Sequence, residues 1–451
     1  MAMRNWVATF TFGTTGLLAL SCSDGGGSAD AAPDGSTDAD ADSDSDGDAG
    51  SDAGEDGGTS QLAVDVSAGV FHTCAAIEGG NVKCWGSPQF GALGYGNDLD
   101  AFPDADTSLP STLPFVNVGV PVARIEASYY FTCALFGNGG ALCWGFNSAG
   151  QLGQAVGYST GVVDVPADYD PIVLDGPVTQ VSTGGGHACA LLESGVLECW
   201  GNNSAGQLGD GNGGIGFQSY TPVVAQVGGI VAQVSAGGGH TCAVLENGEV
   251  YCWGQGGVGA LGYGNTEDVG DDEVPADVGP VDIGGPAKQV SCGGYHTCAL
   301  LESGEVLCWG LGDYGALGYG NTDTIGDDEV PASVGPVDVG GPVAQVSVGT
   351  RFTCVLLESG DVKCWGIGSP ALGYGNMESI GDDEVPAAVG VVNVGGVTTQ
   401  IDTGMAHTCA LLETGDILCW GDDGFDQLGY GLGQNIGDDE TPADVGPVQL
   451  F

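Results

Sequence analysis

Residues Gly237–Gly254 read GGGHTCAVLENGEVYCWG. Two cysteines, Cys242 and Cys252, flank a pair of short apolar runs, with Glu246-Asn247-Gly248 between them. The chain writes this phrase seven times. The first cysteines are Cys74, Cys133, Cys189, Cys242, Cys298, Cys354 and Cys409. Their partners, each ten residues on, are Cys84, Cys143, Cys199, Cys252, Cys308, Cys364 and Cys419. A Trp-Gly follows every partner, and successive units lie 59, 56, 53, 56, 56 and 55 residues apart. A near-constant period of this size marks a solenoid, a propeller or an array.

The unit itself is strand-like. In CALLESGEVLCW, Cys298–Trp309, two apolar runs enclose Glu302-Ser303-Gly304. Three loop residues with Gly last predict a type I turn closed by a Gly-dependent bulge. That register sets Leu301 opposite Glu305 and Cys298 opposite Cys308. Counting outward from the turn, the cysteines fall on a non-hydrogen-bonded rung, where side chains stand closest. Such pairs suit disulfides rather than metal ligation, which needs clustered Cys or His at short spacing. The expected bonds are Cys74–Cys84, Cys133–Cys143, Cys189–Cys199, Cys242–Cys252, Cys298–Cys308, Cys354–Cys364 and Cys409–Cys419.

Both faces of each hairpin are apolar, so each small sheet must be covered on both sides by its neighbours. An open stack would expose its end sheets, and no polar capping repeat is visible. Closure into a ring predicts an all-β fold, a seven-bladed β-propeller over residues 61–451. The end VGPVQLF (Val445–Phe451) matches VGPVDIGG at Val278–Gly285, and the start QLAVDVSAG (Gln61–Gly69) matches AKQVSCGG. From this the first and last strands are expected to complete one shared blade. The stretch GGGHTCAVLENGEVYCWGQGGVGALGYGN further resembles the repeat of the regulator of chromosome condensation family, RCC1. Its marks are the His-Thr, the Asn-Gly turn, the Trp-Gly and the G-x-L-G-x-G close, also present as GQLG at Gly150 and Gly206. The resemblance spans all seven units and implies the same seven-bladed fold.

The N-terminus reads differently. Residues 1–22, MAMRNWVATFTFGTTGLLALSC, place one Arg before an uncharged stretch and small residues before a cysteine. This is the pattern of a secretory signal. Leu18-Ala19-Leu20-Ser21-Cys22 resembles a bacterial lipoprotein signal, which implies lipidation of Cys22 and an exported protein at the outer membrane or cell surface. Residues 23–60 carry acids, small residues and no basic group. Such a stretch cannot bury enough surface to offset its ordering entropy, so a disordered acidic tether is expected. Export also places the cysteines where disulfides persist.

Composition excludes further classes. The 451 residues include 59 acidic and 6 basic ones, a net charge of −53, with 86 Gly and 42% apolar residues. Nucleic-acid binding needs Lys and Arg to displace counterions from phosphates, and six scattered cations cannot form that patch. The membrane is therefore expected only through the lipid anchor. The five His (His72, His187, His240, His296, His407) share a slot with Phe131 and Phe352. A slot that admits Phe is a packing slot, not a catalytic or metal one. Of the 16 cysteines, seven pairs leave Cys22 and Cys292, the latter read as a small buried core residue.

One motif stands outside the fold logic. GDDE recurs before Val-Pro or Thr-Pro in units four to seven: Asp271, Asp272, Glu273; Asp327, Asp328, Glu329; Asp382, Asp383, Glu384; Asp438, Asp439, Glu440. Carboxylates attract hard cations, so these are candidate calcium ligands, beside the simpler reading of solvated turn acids. Units one to three carry divergent inserts there, rich in Tyr and Phe, expected to complete the same face. With no nucleophile–base pair, phosphate-cradling loop or metal triad, no enzyme and no required cofactor are expected. The expected function is a monomeric, envelope-anchored scaffold whose loop face recognises an extracellular or periplasmic protein. The alternatives are a polysaccharide-binding or cleaving surface protein, and guanine-nucleotide exchange, which the family resemblance implies but export opposes.

Overall fold

The two-cysteine phrase folds as its alternation requires. Gly304 N–H donates to Leu301 O (3.0 Å) and Leu301 N–H to Glu305 O (2.9 Å), closing the three-residue turn. Gly304 sits at φ 86°, in the left-handed region that a side chain would resist. Three rungs on, Cys298 faces Cys308, and their Cα atoms are 4.0 Å apart. All seven expected disulfides are present, each with Cα atoms 4.0–4.1 Å apart. Among the described residues Cys292 is the one free cysteine, buried as expected.

This computed structural model describes residues 61–96, 109–155 and 157–451. The expected signal at 1–22, with Cys22, and the acidic stretch at 23–60 lie outside the described residues. Seven antiparallel sheets follow one another along the chain. Their inner strands are Ala63–Ala68, Val122–Ala127, Val178–Thr183, Val231–Ala236, Ala287–Cys292, Val343–Val348 and Thr398–Thr403. Each is followed by a middle and an outer strand, such as His240–Leu245 and Val250–Gly254 in blade 4. Blade 3 adds a fourth strand, Gln218–Val224. In every blade a returning segment also donates one backbone bond to the outer strand. Val281 N–H does so to Val250 O in blade 4, and Val116, Ile172, Ala225, Val337, Val392 and Val448 do so in the others.

That last bond corrects one expectation. Val448 N–H reaches Ile417 O of blade 7 (2.8 Å), while Ala63–Ala68 pairs with His72–Ile77 of blade 1. The two chain ends therefore finish different sheets. The ring closes instead by packing blade 1 on blade 7, through the contacts that join other neighbouring blades.

Those contacts repeat with the ring. The Trp after the second cysteine is fully buried in all seven blades. Its Nε1–H donates to the carbonyl of the x residue in the preceding blade's G-x-L-G close: Trp253 to Gln207 O (3.0 Å), and at the junction of blades 7 and 1 Trp85 to Gln427 O (3.0 Å). A Cβ on the last Gly of that close would strike the indole; at Gly153 it would lie 2.9 Å from the Trp200 ring. The Thr after the histidine slot donates its hydroxyl to the same carbonyl, as Thr241 does to Gln207 O (2.9 Å). The preceding blade's His then bonds that hydroxyl: His187 to Thr241 and His240 to Thr297, each at 2.8 Å. Since the Thr proton is spent on the carbonyl, His Nε2–H is the donor. The slot is thus more than packing; it laces neighbouring blades.

Nearer the axis a second set of ties runs between inner strands. Gln233 pairs with both Val290 O and Val290 N–H, and Ser235 Oγ accepts from Cys292 N–H. The same two positions serve Gln180 and Ser182, Gln289 and Ser291, and Gln345 and Ser347. At the closing junction Gln400 bonds Val66 O, Asp402 accepts from Ala68 N–H, and His407 bonds Thr73.

Burial holds the imidazoles well below their ordinary range, His72 and His240 to about 4 and His187, His296 and His407 to about 3. They are neutral in the fold and protonate on unfolding below pH ~6.5. The unfolded chain then holds more protons, so their contribution to stability falls as pH drops from ~6.5 toward the folded values. For His187 the loss at pH 5 is about 2 kcal/mol. His187→Phe, a change the chain already tolerates where Phe352 stands, should cost about 1 kcal/mol near pH 7.5 through the missing hydrogen bond. By pH 5 it should match or exceed the parent. Urea unfolding at the two pH values checks this, and a pH-independent difference would contradict it.

Candidate functional site: the loop face

The face carrying the inner-to-middle turns also carries the loops that follow each Trp-Gly. Gly254 pairs with His240 at the start of its hairpin and with Val269, so the next residue, Gly270, opens the GDDE turn on this side. Gly270 packs backbone to backbone on Gly206 of the preceding blade's G-x-L-G close, an approach only glycine permits. Gly326, Gly381 and Gly437 repeat the contact on Gly259, Gly315 and Pro370. Gly161 of blade 2 makes it on Gly91, so GVVDVP takes the place of GDDEVP there, with exposed Val162 and Val163 where the two Asp stand. The divergent insert is the same turn with valines for its two Asp and Asp164 for its Glu.

In each GDDE turn one carboxylate oxygen from each of the three acids lies within 4.8 Å of the others: Asp271, Asp272, Glu273; Asp327, Asp328, Glu329; Asp382, Asp383, Glu384; Asp438, Asp439, Glu440. Partial burial and a hydrogen bond that the protonated Glu donates to the adjacent Asp raise Glu329 and Glu440 to about 7. Glu384 is raised first by its bond to Asp383, and Glu273 first by burial. A retained proton therefore relieves the crowding of like charges. Each turn offers three oxygens to a hard cation, against the six to eight that calcium takes, the rest being supplied by water or carbonyls. The cluster of His240, Cys242 and Cys292 is not a comparable ligand set, because Cys242 is in a disulfide and His240 Nε2 is spent on Thr297.

Five aromatic residues gather on the same face across blades 7, 1 and 2. Phe71 lies 4.6 Å from Phe425 and 5.2 Å from Tyr130, ring centre to ring centre. Phe90 lies 5.2 Å from Tyr130 and 4.6 Å from Phe146. Phe90 and Phe425 remain 43% and 41% exposed. Phe90 holds φ 58°, a conformation that costs a non-glycine residue about 1–2 kcal/mol. Blades 5 and 6 build a smaller version: Tyr314, at φ 60°, and Tyr295 share the Arg351 guanidinium, its Cζ 5.6 and 5.9 Å from their centres. No repeated motif flags these residues; the available signal was an aromatic just before the histidine slot, at Phe71, Tyr130 and Tyr295. Phe115, which closes the divergent insert of unit one, lies toward the hairpin end instead, where Lys83 Nζ sits 5.5 Å from its ring centre and 5.3 Å from that of Phe451.

A polar channel of about 300 Å³ runs between the inner strands. It is lined by a ring of Gln180, Gln233, Gln289, Gln345 and Gln400 with Asp65 and Arg124, and by a serine ring broken by Glu126 and Asp402. Most of these side chains are already committed to the neighbouring blade. The larger unspent surface is the aromatic one.

These features define a disulfide-pinned propeller whose rim carries its variable chemistry. The chain belongs to the regulator of chromosome condensation (RCC1) repeat family. Models of that repeat match residues 63–92, 122–151, 178–207, 231–260, 287–316 and 399–427, and in an overlapping register 138–191, 195–244, 247–300 and 303–356. The chain is 30% identical over 371 residues to the ultraviolet-B receptor UVR8 of Arabidopsis thaliana, covering 81% of this chain and 78% of that one. It is 30% identical over 364 residues to the E3 ubiquitin-protein ligase HERC2 of Homo sapiens, covering 80% of this chain but 7% of HERC2. Human WBSCR16 superposes with a TM-score of 0.61 at 20% identity, over 78% of this chain and 86% of that one. Yeast RCC1 (Prp20) bound to Kap60 gives 0.61 at 18% identity, over 86% and 85%.

Phe90→Gly should hold or raise the melting temperature by relieving the left-handed backbone, whereas Phe90→Val should lower it. Thermal scans of both variants check this; a large loss for glycine would show that the ring, not the surface, needs Phe90.

Proposed function

We propose that this propeller is a binding scaffold that recognises another protein through the aromatic patch of blades 7, 1 and 2. One observation carries the reading. Five rings converge on a face where two of them stay about 40% exposed, and one is held in a costly backbone conformation. Exposed aromatic clusters are the usual anchors of protein interfaces. The rings meet at 34°, 61°, 77° and 49°, giving a faceted surface. Side chains can seat between such facets, while a sugar ring stacks on a flat plane, so the protein reading is favoured over the polysaccharide one. The yeast RCC1 neighbour is itself captured in a complex with a protein.

The leader and Cys22 support placing this scaffold at a bacterial envelope, tethered by lipid. The described residues contain no helix long and apolar enough to cross a membrane. The acidic turns of blades 4 to 7 form the remaining rim, and calcium there is part of the same reading.

Capture from envelope extract on immobilised full chain, compared with Phe90→Ala/Phe425→Ala and with Glu302→Ala at the hairpin end, tests the face. The aromatic variant should lose at least tenfold of a captured protein that Glu302→Ala retains; equal capture by all three would overturn the reading. Palmitate labelling of the expressed precursor should vanish in Cys22→Ala, and unchanged labelling would remove the anchor.

A further inference from the structure

The seven junctions are not alike. From blade n to blade n+1 three side-chain ties recur: the slot His to Thr, the inner-strand Gln to the backbone, and the inner-strand Ser to a backbone N–H. Blades 3–4, 4–5 and 5–6 have all three. Blades 1–2 keep all three positions bonded, with Asp65 accepting from Ile125 N–H in the Gln place. Blades 7–1 do the same with Asp402 in the Ser place. Blades 6–7 lose only the first, because Phe352 fills the slot, and keep Gln345 and Ser347.

Between blades 2 and 3 every one of these ties is gone. Phe131 stands in the histidine slot and faces Ala188, which replaces the threonine. Arg124 stands in the Gln place and leans away to Asp65 of blade 1 (3.8 Å). Glu126 stands in the Ser place. Neither bonds Val181 or Thr183, whose counterparts Val234 and Ala236 donate their N–H groups to Gln180 Oε1 and Ser182 Oγ of blade 3. Three of the replacements lie close together in blade 2, at 124, 126 and 131, and the fourth, Ala188, meets them from blade 3. What remains is Trp200 to Gln151 O (2.9 Å), Ser128 to Gly184 O, and the connecting Val178 N–H to Gly139 O (2.8 Å). Apolar contact does the rest: Phe131, Ile172, Val178, Val181, Ala188 and Trp200 belong to a cluster separate from the main core.

Hydrogen-bonded lacing fixes geometry by direction, whereas apolar contact is non-directional and tolerates sliding. We propose that the ring opens at this place: the junction of blades 2 and 3 is a conformational seam that parts transiently while the other six stay closed. The seam borders the aromatic patch at Phe146 of blade 2. The missing ties carry this seam, independently of what the loop face binds.

Thiol labelling of the folded, oxidised full chain tests it. In a Cys292→Val background, which copies Val348 of blade 6, single probes are placed at Ala190→Cys in the seam and at the equivalent Ala299→Cys between blades 4 and 5, both positions fully buried and neither part of a tie. Labelling at each site is followed by peptide mass spectrometry. The seam probe should react at least tenfold faster, and adding Arg124→Gln and Glu126→Ser should slow it toward the control. Equal rates, or no response to the added ties, would overturn the seam. Hydrogen exchange of the unsubstituted chain supplies the result if a probe variant does not fold. Exchange at 178–183 should outpace 231–236, 287–292 and 343–348, and uniform exchange would overturn the seam equally.

Discussion

One backbone carbonyl per junction organises the ring. It belongs to the x residue of the close and accepts from the next blade's Trp Nε1 at all seven junctions and from its Thr Oγ1 at six, and at five of these the Thr accepts a further proton from the His of the carbonyl's own blade. All of these groups are buried, and a buried polar group left unpaired costs about 1–3 kcal/mol. The carbonyl therefore sets the distance between blades and obliges the close to end in glycine, since a side chain there would strike the indole. The Trp, the Thr, the His and the two glycines of the repeat are different consequences of one requirement.

The disulfide performs a separate task. It locks the hairpin within a blade, between two strands that a three-residue turn has already brought together, and should contribute about 2–3 kcal/mol by narrowing the unfolded ensemble. With 42% apolar residues spread over a repetitive chain, each blade has little core of its own. The bond stiffens the blade and the lacing joins the blades. Neither substitutes for the other, which accounts for the joint presence of covalent and polar fastening. In five blades a tyrosine adds to the first task, as when Tyr263 Oη accepts from Cys252 N–H and donates to Cys252 O.

Much of this was legible from period and turn chemistry. Glu302-Ser303-Gly304 sets the hairpin register, the register sets the disulfide, and apolarity on both faces forces a ring. The lacing was not legible, because its partners stand about one repeat apart, as with His72 and Thr132, and only closure reveals them as neighbours. Phe131 and Phe352 in the slot therefore read as evidence of packing alone. The terminal matches misled for a related reason: VGPVQLF does copy an earlier phrase, but that phrase finishes its own blade, so Val448 joins Ile417 rather than the first sheet. The aromatic patch was hidden by scatter, its members running from Phe71 to Phe425 in positions that vary between repeats. The GDDE motif stood out because it is repeated, yet its Gly serves packing on the previous blade; the acids are the part the fold does not demand.

The closing junction is the most demanding place in the ring, because His407 and Thr73 lie 334 residues apart and meet only if the propeller is sealed. A double-mutant cycle with His407→Phe and Thr73→Val, read by urea unfolding at pH 7.5, measures their coupling. A sealed ring predicts a coupling of about 1 kcal/mol, equal within error to that of His240 and Thr297 between blades 4 and 5. Strict additivity at His407 and Thr73, beside clear coupling at the internal pair, would mean that the ends of the ring do not meet.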